Sequence, residues 1–227
     1  MAKYKIANFS KDPAGWTHGN PFHGDTYIID TIYDYMKDSD LFIETGTAYA
    51  ESSYFIADNF SDKKVYTCEI DDYRFSVSYD ILKELDNVDM QKMSSPEILY
   101  YVLGKEPELK NKKCVFWFDA HGEWEENGQR MYSWPLVDEV SFVTTKLKNF
   151  AIFIDDFQNP YNPQVKYDVC GGKICGPGEV MGALNGAKLY VPTYTDVTSE
   201  YHEDIVGVGL ITDMEVISNS ANWKEVV

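Results

Sequence analysis

The sequence lacks the long apolar runs of a membrane protein. No uninterrupted apolar stretch approaches the roughly 20 residues that cross a bilayer, and the polar segment 1–10 has no apolar core of a secretory signal. These absences predict a cytoplasmic protein without membrane association. With 44% hydrophobic and 25% charged residues among 227, the composition is typical of one soluble globular domain.

Basic residues are also scarce. The chain has 20 Lys and Arg against 37 Asp and Glu, so its formal net charge is −17. Such a field repels phosphate backbones, which argues against broad nucleic-acid binding and favours a small molecule or a cationic partner. A role of the charge in solubility alone is an equal alternative, and self-association into a homo-oligomer stays open.

Cysteine is rare as well. Four residues, widely scattered, are too few for a disulfide framework. Cys68 and Cys114 fall within apolar runs and are predicted to be buried free thiols. Cys170 and Cys175 flank a turn-rich stretch that offers no further soft ligands at a spacing suitable for zinc. Free thiols are the prediction there too, with a local disulfide as the alternative.

Five short apolar runs alternate with segments of helical spacing. The runs are apolar nearly throughout, which suits strands of a parallel sheet covered on both faces. Apolar residues three and four apart predict helices that each bury one side. The predicted strands are 41–44, 65–69, 88–91, 114–119 and 150–155. The predicted helical stripes are Phe75, Tyr79, Leu82 and Leu85; Leu136, Val140, Val143 and Leu147; and Ile28, Ile29, Ile32 and Met36.

The end of the chain breaks this alternation. Two strand-like runs, 188–193 and 205–212, are separated by about ten residues, too few for a parallel crossover. They are therefore predicted to be antiparallel neighbours. The expected fold is α/β: a doubly wound, Rossmann-like three-layer sandwich with a seven-stranded, mostly parallel sheet and an antiparallel terminal hairpin. We expect one domain over residues 1–227.

Carboxylates close four of the five predicted parallel strands. They are Glu44, Glu69, Asp119 and the pair Asp155 and Asp156. Ligands of doubly wound sheets collect beyond the carboxyl ends of the strands. Like charges gathered at one edge repel each other unless a ligand or a cation compensates them. This edge is therefore the candidate site.

The loop after the first strand has the character of a ligand-binding turn. Gly46 permits a tight turn, and the helix predicted to follow, about 49–59, directs its free N–H groups at that turn. Glu69, at the end of the second strand, is placed to accept both hydroxyls of a ribose. A strict G-x-G-x-x-G is absent, so a dinucleotide pyrophosphate is weakly supported.

Five segments in order resemble class I S-adenosylmethionine-dependent methyltransferases, in the form of small-molecule O-methyltransferases. The resemblance covers about residues 25–213. Ala50 and Met93 stand where the family has glycine, which puts activity in doubt more than fold. The segments are 41–52, which resembles motif I; 65–71, motif II; 93–99, the segment after the third strand; 116–121, the D-A-H form of motif IV; and 152–157, the I-D-D-[FY] end of the fifth strand.

The resemblance implies methyl transfer from S-adenosylmethionine to a small-molecule acceptor, at oxygen. It also implies the residues of the cofactor site. The methionine moiety is assigned to Glu44, Gly46, Thr47, Ala48 and Tyr49; the ribose to Glu69; the adenine to Ile70, Ser94 and Ser95; and the side of the pocket that faces the acceptor to Asp119.

Asp119, His121 and Asp155 are the predicted catalytic residues. His121, with an ordinary pKa near 6.5, is the candidate general base, and a loop histidine bonded to backbone is the alternative. Some related enzymes hold Mg²⁺, which orients two acceptor oxygens, and Asp119, Asp155 and Asp156 are the predicted ligands. The alternative is that Asp156 caps the next segment or faces solvent.

Two flanking segments carry further predictions. Residues 1–24, with His18 and His23, are expected to form an N-terminal arm or a lid, and 158–186 an insertion that covers the acceptor. Two other functions stay open. One is a catalytically inactive, methyltransferase-like binding or assembly module. The other is a nicotinamide- or nucleotide-sugar-binding enzyme on a related sheet.

Overall fold

An eight-stranded sheet lies at the centre of the computed structural model, which describes residues 3–6, 20–126, 129–194, 206–215 and 220–227. The strands are β1 (Leu41–Thr45), β2 (Lys64–Glu69), β3 (Val88–Lys92), β4 (Cys114–Phe118), β5 (Gly122–Glu126), β6 (Gln129–Ser133), β7 (Phe150–Ile154), β8 (Val169–Cys170), β9 (Lys173–Ile174), β10 (Lys188–Pro192), β11 (Gly209–Thr212) and β12 (Trp223–Glu225). The helices are α1 (Thr26–Lys37), α2 (Glu51–Asn59), α3 (Asp72–Leu82), α4 (Ser95–Lys105), α5 (Leu136–Lys146) and α6 (Pro177–Val180), with short 3₁₀ turns at Pro21–Gly24, Leu109–Asn111, Met181–Ala183 and Ser220–Asn222.

The five predicted apolar runs form the parallel part of the sheet. The strand order is β12-β10-β11-β7-β4-β1-β2-β3, with β1 parallel to both β2 and β4. Every residue of β1, β4 and β7 is buried, because helices cover both faces of the sheet. The doubly wound α/β fold is confirmed.

The terminal hairpin is antiparallel, as predicted. Strand β10 pairs with β11, and β11 pairs antiparallel with β7. The prediction of seven strands was wrong, because β12 adds an eighth against β10. Its three residues, Trp-Lys-Glu, offer no apolar alternation from which a strand is recognisable. Residue 205, the start of the second predicted run, lies outside the described residues.

Two hydrophobic clusters cover the two faces of the sheet. Leu41 and Ile43 of β1 belong to one cluster, together with α4 and α5, while Phe42 belongs to the other, with α1 and α2. The stripes predicted on α1 and α5 are buried. The α3 stripe is buried only in part: Leu82 is 1% exposed and Phe75 and Leu85 are half-buried, but Tyr79 is 47% exposed. This helix packs at the β3 edge, where less of the sheet remains to cover it.

Smaller elements complete the described chain. The hairpin of β5 and β6 follows β4, and the segment 158–186 contains the short β8–β9 hairpin and α6. All four cysteines are buried thiols outside any disulfide, so the alternative of a local disulfide was wrong. Within the described ranges, no helix combines the length and apolar character that crossing a membrane requires.

Candidate active site

A cleft of about 510 Å³ opens beyond the carboxyl ends of β1 to β4. This volume suits a small-molecule ligand. Another depression, of about 400 Å³, lies near Lys64 and Asn87 and contains none of the predicted site residues. Among the predicted residues, the cleft is lined by Gly46, Glu69, Ile70, Ser94, Ser95, Asp119 and His121.

Gly46 allows the β1 loop to pass directly over the end of β4. Its φ is +80°, and a Cβ at this position would lie 2.4 Å from the backbone oxygen of Asp119. Only glycine fits both conditions. The amides of Gly46 and Thr47 both donate to the Cys68 carbonyl at 3.0 Å, which fixes the loop against β2.

Glu44 anchors this loop from beneath. Its Oε2 accepts hydrogen bonds from the hydroxyl of Ser53 and, at 2.8 Å, from that of Thr67. The Thr67 hydroxyl also lies 2.6 Å from that of Thr47. Burial raises the pKa of Glu44 to about 8, although the two hydrogen bonds oppose this shift. Glu44, Thr47, Ala48 and Tyr49 are not among the described residues that line the cleft.

Glu69 is held in place by three backbone amides. Its Oε2 accepts from Ala48 at 3.0 Å, and its Oε1 accepts from Ile70 at 2.8 Å and Asp71 at 2.9 Å. A carboxylate fixed in this way keeps further acceptor positions, because each oxygen has more than one lone pair. Glu69 therefore presents an oriented acceptor at the wall of the cleft.

Ile70 and the start of α4 form a further part of the cleft wall. The Ile70 side chain is 63% exposed, an unusual position for an isoleucine. Ser94 and Glu97 form a capping box: Oε2 of Glu97 accepts from the Ser94 amide at 2.9 Å and from its hydroxyl at 2.6 Å. An apolar side chain and hydroxyl groups thus line this part of the cleft.

Three carboxylates meet between the ends of β4 and β7. One oxygen from each of Asp119, Asp155 and Asp156 lies within 4.8 Å of the others. Burial and then the charge of Asp155 raise the pKa of Asp119 well above its usual range and that of Asp156 to about 8. The predicted metal ligands are therefore close to one another. Asp156 has a φ of +49°, which fixes the bend after β7.

His23 pairs with Asp155, one of these three carboxylates. Its Nε2 lies 2.6 Å from Oδ2 of Asp155, and Oδ1 of Asp155 accepts from the Asp156 amide at 2.8 Å. Burial disfavours the imidazolium, but the charge of Asp155 outweighs it and raises the pKa of His23 to about 9. Burial likewise opposes ionisation of Asp155, yet the His23 charge lowers its pKa overall. The pair is thus an ion pair.

Of the predicted arm, residues 20–24 lie at this site. Phe22 is buried, with its ring 4.8 Å from that of Trp117, and His23 reaches Asp155 as described. Both residues have left-handed backbone angles, with φ of 53° and 57°. His18 and the rest of 7–19 lie outside the described residues.

His121 is 8% exposed, so it is nine-tenths buried. Neither of its ring nitrogens has a hydrogen-bond partner within the part of the chain that the structure describes. Burial lowers the pKa of His121, although the charges of Asp155 and Asp168 oppose the shift. The alternative of a loop histidine bonded to backbone finds no such bond among the described residues.

Asp168 is a site residue that the sequence did not reveal. One of its carboxylate oxygens lies within 4.8 Å of ligand atoms of both His121 and Asp156. Its amide donates to the Asp156 carbonyl at 2.9 Å, and its carbonyl accepts from the Cys175 amide at 2.9 Å. Asp168 belongs to no motif, and only the folding of segment 158–186 brings it here.

Ala50 stands where the resemblance predicts the second glycine of motif I. It precedes α2 with a φ of +71°, a left-handed conformation that favours glycine. Ala48 is also left-handed, at +44°. The backbone thus keeps a shape that suits glycine although the sequence has alanine.

No family model matches the sequence, and a search of curated proteins finds no match. Solved structures do match. The precorrin-6y C5,15-methyltransferase of Geobacter metallireducens GS-15 is 13% identical over 92% of this chain and 98% of that one, with a TM-score of 0.51. An rRNA methylase from Streptococcus thermophilus is 13% identical over 81% and 95%, with a TM-score of 0.48. Human methyltransferase-like protein 13, in complex with SAH, is 12% identical over 80% and 75%, with a TM-score of 0.48.

The likeness to the Geobacter enzyme shows a shared fold. It extends over nearly the whole of both chains at a TM-score of 0.51, and it agrees with the mostly parallel sheet and its antiparallel end. At 13% identity the likeness carries the Rossmann-like fold alone. What the site does has to be argued from its own residues.

Proposed function

We propose that this protein transfers the methyl group of S-adenosylmethionine to a hydroxyl of a small-molecule acceptor. The observation that carries the proposal is Glu69, oriented by three amides at the wall of a 510 Å³ cleft. A fixed carboxylate at the end of the second strand suits the two hydroxyls of a ribose. The shared methyltransferase fold supports the same ligand class.

The remaining cofactor contacts follow from the arrangement around Glu69. Ile70 offers an apolar face to the adenine, and Ser94 and Ser95 offer hydroxyls to its edge. Of the loop 46–49, Gly46 lines the cleft, so the methionine moiety is placed against its backbone, with the shape of the loop fixed by Glu44 and Thr47 from below.

The chemistry takes place between this cleft and the carboxylate cluster. S-adenosylmethionine supplies an electrophilic methyl group, and the protein aligns it with an acceptor oxygen. Asp119 lies in both the cleft and the cluster, so it closes the donor site towards the acceptor. His121 stays neutral near pH 7 because its pKa is lowered, so it is able to accept the proton of a hydroxyl.

A divalent cation would assist this step. The spacing of Asp119, Asp155 and Asp156 fits shared oxygen ligation, as Mg²⁺ prefers. A cation there would lower the pKa of an acceptor hydroxyl and orient it. His23 competes for this role of Asp155, because it already occupies Oδ2.

The acceptor lies under the segment 158–186 in this proposal. The Asp168 amide donates to the Asp156 carbonyl at 2.9 Å, and the Cys175 thiol to the Asp155 carbonyl at 3.5 Å, which connects that segment to the carboxylate cluster. A formal charge of −17 favours a small acceptor over a nucleic acid. Because one structural neighbour is an rRNA methylase, the acceptor screen should also include RNA.

Calorimetric titration with S-adenosylhomocysteine tests the donor site. We expect micromolar binding, a loss of at least about tenfold in Glu69→Ala, and no binding of NAD. Glu84→Ala, an exposed glutamate outside the cleft, is the matched control and should bind as the unchanged protein does. No binding by folded protein would contradict the proposal, and preferential binding of NAD would support the nicotinamide alternative.

Ala50 favours a second candidate, a methyltransferase-like binding module without catalysis. A methyl group at this left-handed position stands where the motif has a glycine. Labelled methyl transfer to a panel of hydroxylated small molecules separates the two candidates. Binding of S-adenosylhomocysteine, without methyl transfer to any acceptor, RNA included, would favour the binding module.

A further inference from the structure

Three metal-ligand side chains meet beside the cleft in a second set, which shares Asp156 with the three-aspartate set. One ring nitrogen of His121 and one carboxylate oxygen each from Asp156 and Asp168 all lie within 4.8 Å of one another. They come from the loop after β4, the end of β7 and the segment 158–186. His121 also lines the cleft.

His121 itself indicates a missing partner. Both ring nitrogens are without a hydrogen bond in the described portion of the chain, although the residue is nine-tenths buried. Buried polar groups are almost always satisfied, and such an exception calls for an ion, a water or a ligand. The two carboxylates facing the ring match a cation better than an anion.

Asp155 is poorly placed to serve as a ligand. Its side chain is 2% exposed, Nε2 of His23 lies 2.6 Å from its Oδ2, and the Asp156 amide donates to its Oδ1 at 2.8 Å. A cation there would have to enter a buried contact that His23 already makes. The three-aspartate set therefore lacks one accessible member, whereas Asp156 and Asp168 are both half-buried and face His121.

The backbone holds the two carboxylates together. The Asp168 amide donates to the Asp156 carbonyl at 2.9 Å, and the Cys175 amide donates to the Asp168 carbonyl at 2.9 Å. Ligand atoms about 2.1 Å from a metal stand roughly 3–4 Å apart. The three ligand atoms, all within 4.8 Å of one another, lie close to that spacing.

We propose that His121, Asp156 and Asp168 bind a divalent transition-metal ion. One imidazole nitrogen with two carboxylates suits Mn²⁺, Fe²⁺, Co²⁺ or Zn²⁺, whereas Mg²⁺ prefers oxygen ligands throughout. Three protein ligands leave positions open for water or an acceptor oxygen. With the metal bound, His121 would serve as a ligand and not as the general base. A separate base would then not be needed, because a metal-bound hydroxyl loses its proton more readily. The metal site does not require the methyl-transfer proposal to hold.

Cobalt spectroscopy tests the site. The full chain, stripped with a chelator, is titrated with Co²⁺, and the visible d–d absorption is recorded. We expect one equivalent to bind, with affinity reduced at least about tenfold in His121→Gln and in Asp168→Asn. Zn²⁺ should displace the cobalt, and excess Mg²⁺ should not.

Two further variants make the result decisive. Asp138→Asn, at an exposed position on α5, removes one negative charge elsewhere and should bind Co²⁺ normally. Asp119→Asn tests the three-aspartate set. Wild-type affinity in both His121→Gln and Asp168→Asn, each shown to be folded by thermal unfolding, would overturn the site whatever Asp119→Asn does. Titration of metal-free protein with S-adenosylhomocysteine reports on the donor site separately.

Discussion

The imidazole of His23 lies 2.6 Å from the carboxylate of Asp155, although the two residues are 132 positions apart in the chain. This pair fastens the turn at Pro21–Gly24 to the end of β7. The Asp155 side chain is 2% exposed and that of His23 32%. The contact is therefore largely shielded from water, and its electrostatic contribution exceeds that of a surface ion pair.

A double-mutant cycle measures this contribution. We expect His23→Ala and Asp155→Asn each to lower the free energy of unfolding, with a coupling of about 1–2 kcal/mol between them. The exposure of His23 keeps the estimate at this modest level. Urea unfolding of the four proteins gives the coupling. Strictly additive effects would mean that the pair contributes nothing to stability.

Much of the fold was predictable, because the strands that carry it are buried on both faces. Runs such as Cys114–Phe118 are apolar without interruption, so length and flanking turns identify them. Strand β12 and the exposed face of α3 escaped prediction, since pairing at a sheet edge leaves little mark on local sequence. Whether residues at a sheet edge are buried or exposed depends on neighbours that only the tertiary structure supplies.

The site was predictable only where it follows strand ends. Glu69 and Asp119 lie beside the cleft because parallel strands place their carboxyl ends at one edge. Asp168 comes from a loop whose path no periodicity determines. The contact of His23 with Asp155 likewise depends on two left-handed residues, Phe22 and His23, neither of which is a glycine.

Gly46 should tolerate no side chain. A Cβ there would lie 2.4 Å from the Asp119 oxygen, and its φ of +80° disfavours other residues. We expect Gly46→Ala to destabilise the fold by about 3 kcal/mol, from backbone strain together with the steric clash. Binding of S-adenosylhomocysteine should weaken as well.

Gly104 provides the matched control for Gly46. It lies on α4, where a Cβ would meet no atom within 4 Å among the described residues outside the backbone of its own helix. Gly104→Ala should therefore stabilise the protein by up to about 1 kcal/mol, because alanine favours the helix. Equal destabilisation by the two substitutions in urea unfolding would show that the close approach at Gly46 is not what matters.

Ala50 and Ala57 form a second matched pair. Both are buried, at 0% and 1% exposure, but Ala50 is left-handed while Ala57 lies inside α2. Ala57→Gly should cost about 2 kcal/mol, from the lost methyl group and from helix propensity. Ala50→Gly should be nearly neutral, because relief of the left-handed strain offsets the same lost methyl group. An equal loss of stability in both variants, measured by chemical denaturation, would contradict the left-handed strain at Ala50.

Glu139 is a buried carboxyl beneath the cleft. It is 1% exposed, near the hydroxyls of Thr45 and Ser95. These hydroxyls lower its pKa somewhat, but Oε1 of Glu139 and both hydroxyl oxygens lack an aligned hydrogen-bond partner among the described residues. Burial dominates and raises the pKa of Glu139 to about 7 from 4.5. The folded state therefore favours the neutral acid.

The sign of the pH dependence follows from that shift. An acid whose pKa is raised on folding contributes its full stability below the unfolded value, and it loses that contribution as the pH rises towards the folded value. Glu139→Gln removes the ionisable group at nearly constant size. The free energy of unfolding of this variant minus that of the unchanged protein should therefore increase by about 2–3 kcal/mol from about pH 5 to about pH 7. Above about pH 7 this difference should stay constant. Urea unfolding across that range measures the difference. Glu84→Gln, at an exposed position just after α3, controls for net charge. Parallel stability curves for Glu139→Gln and the unchanged protein would mean that Glu139 is already ionised in the folded state.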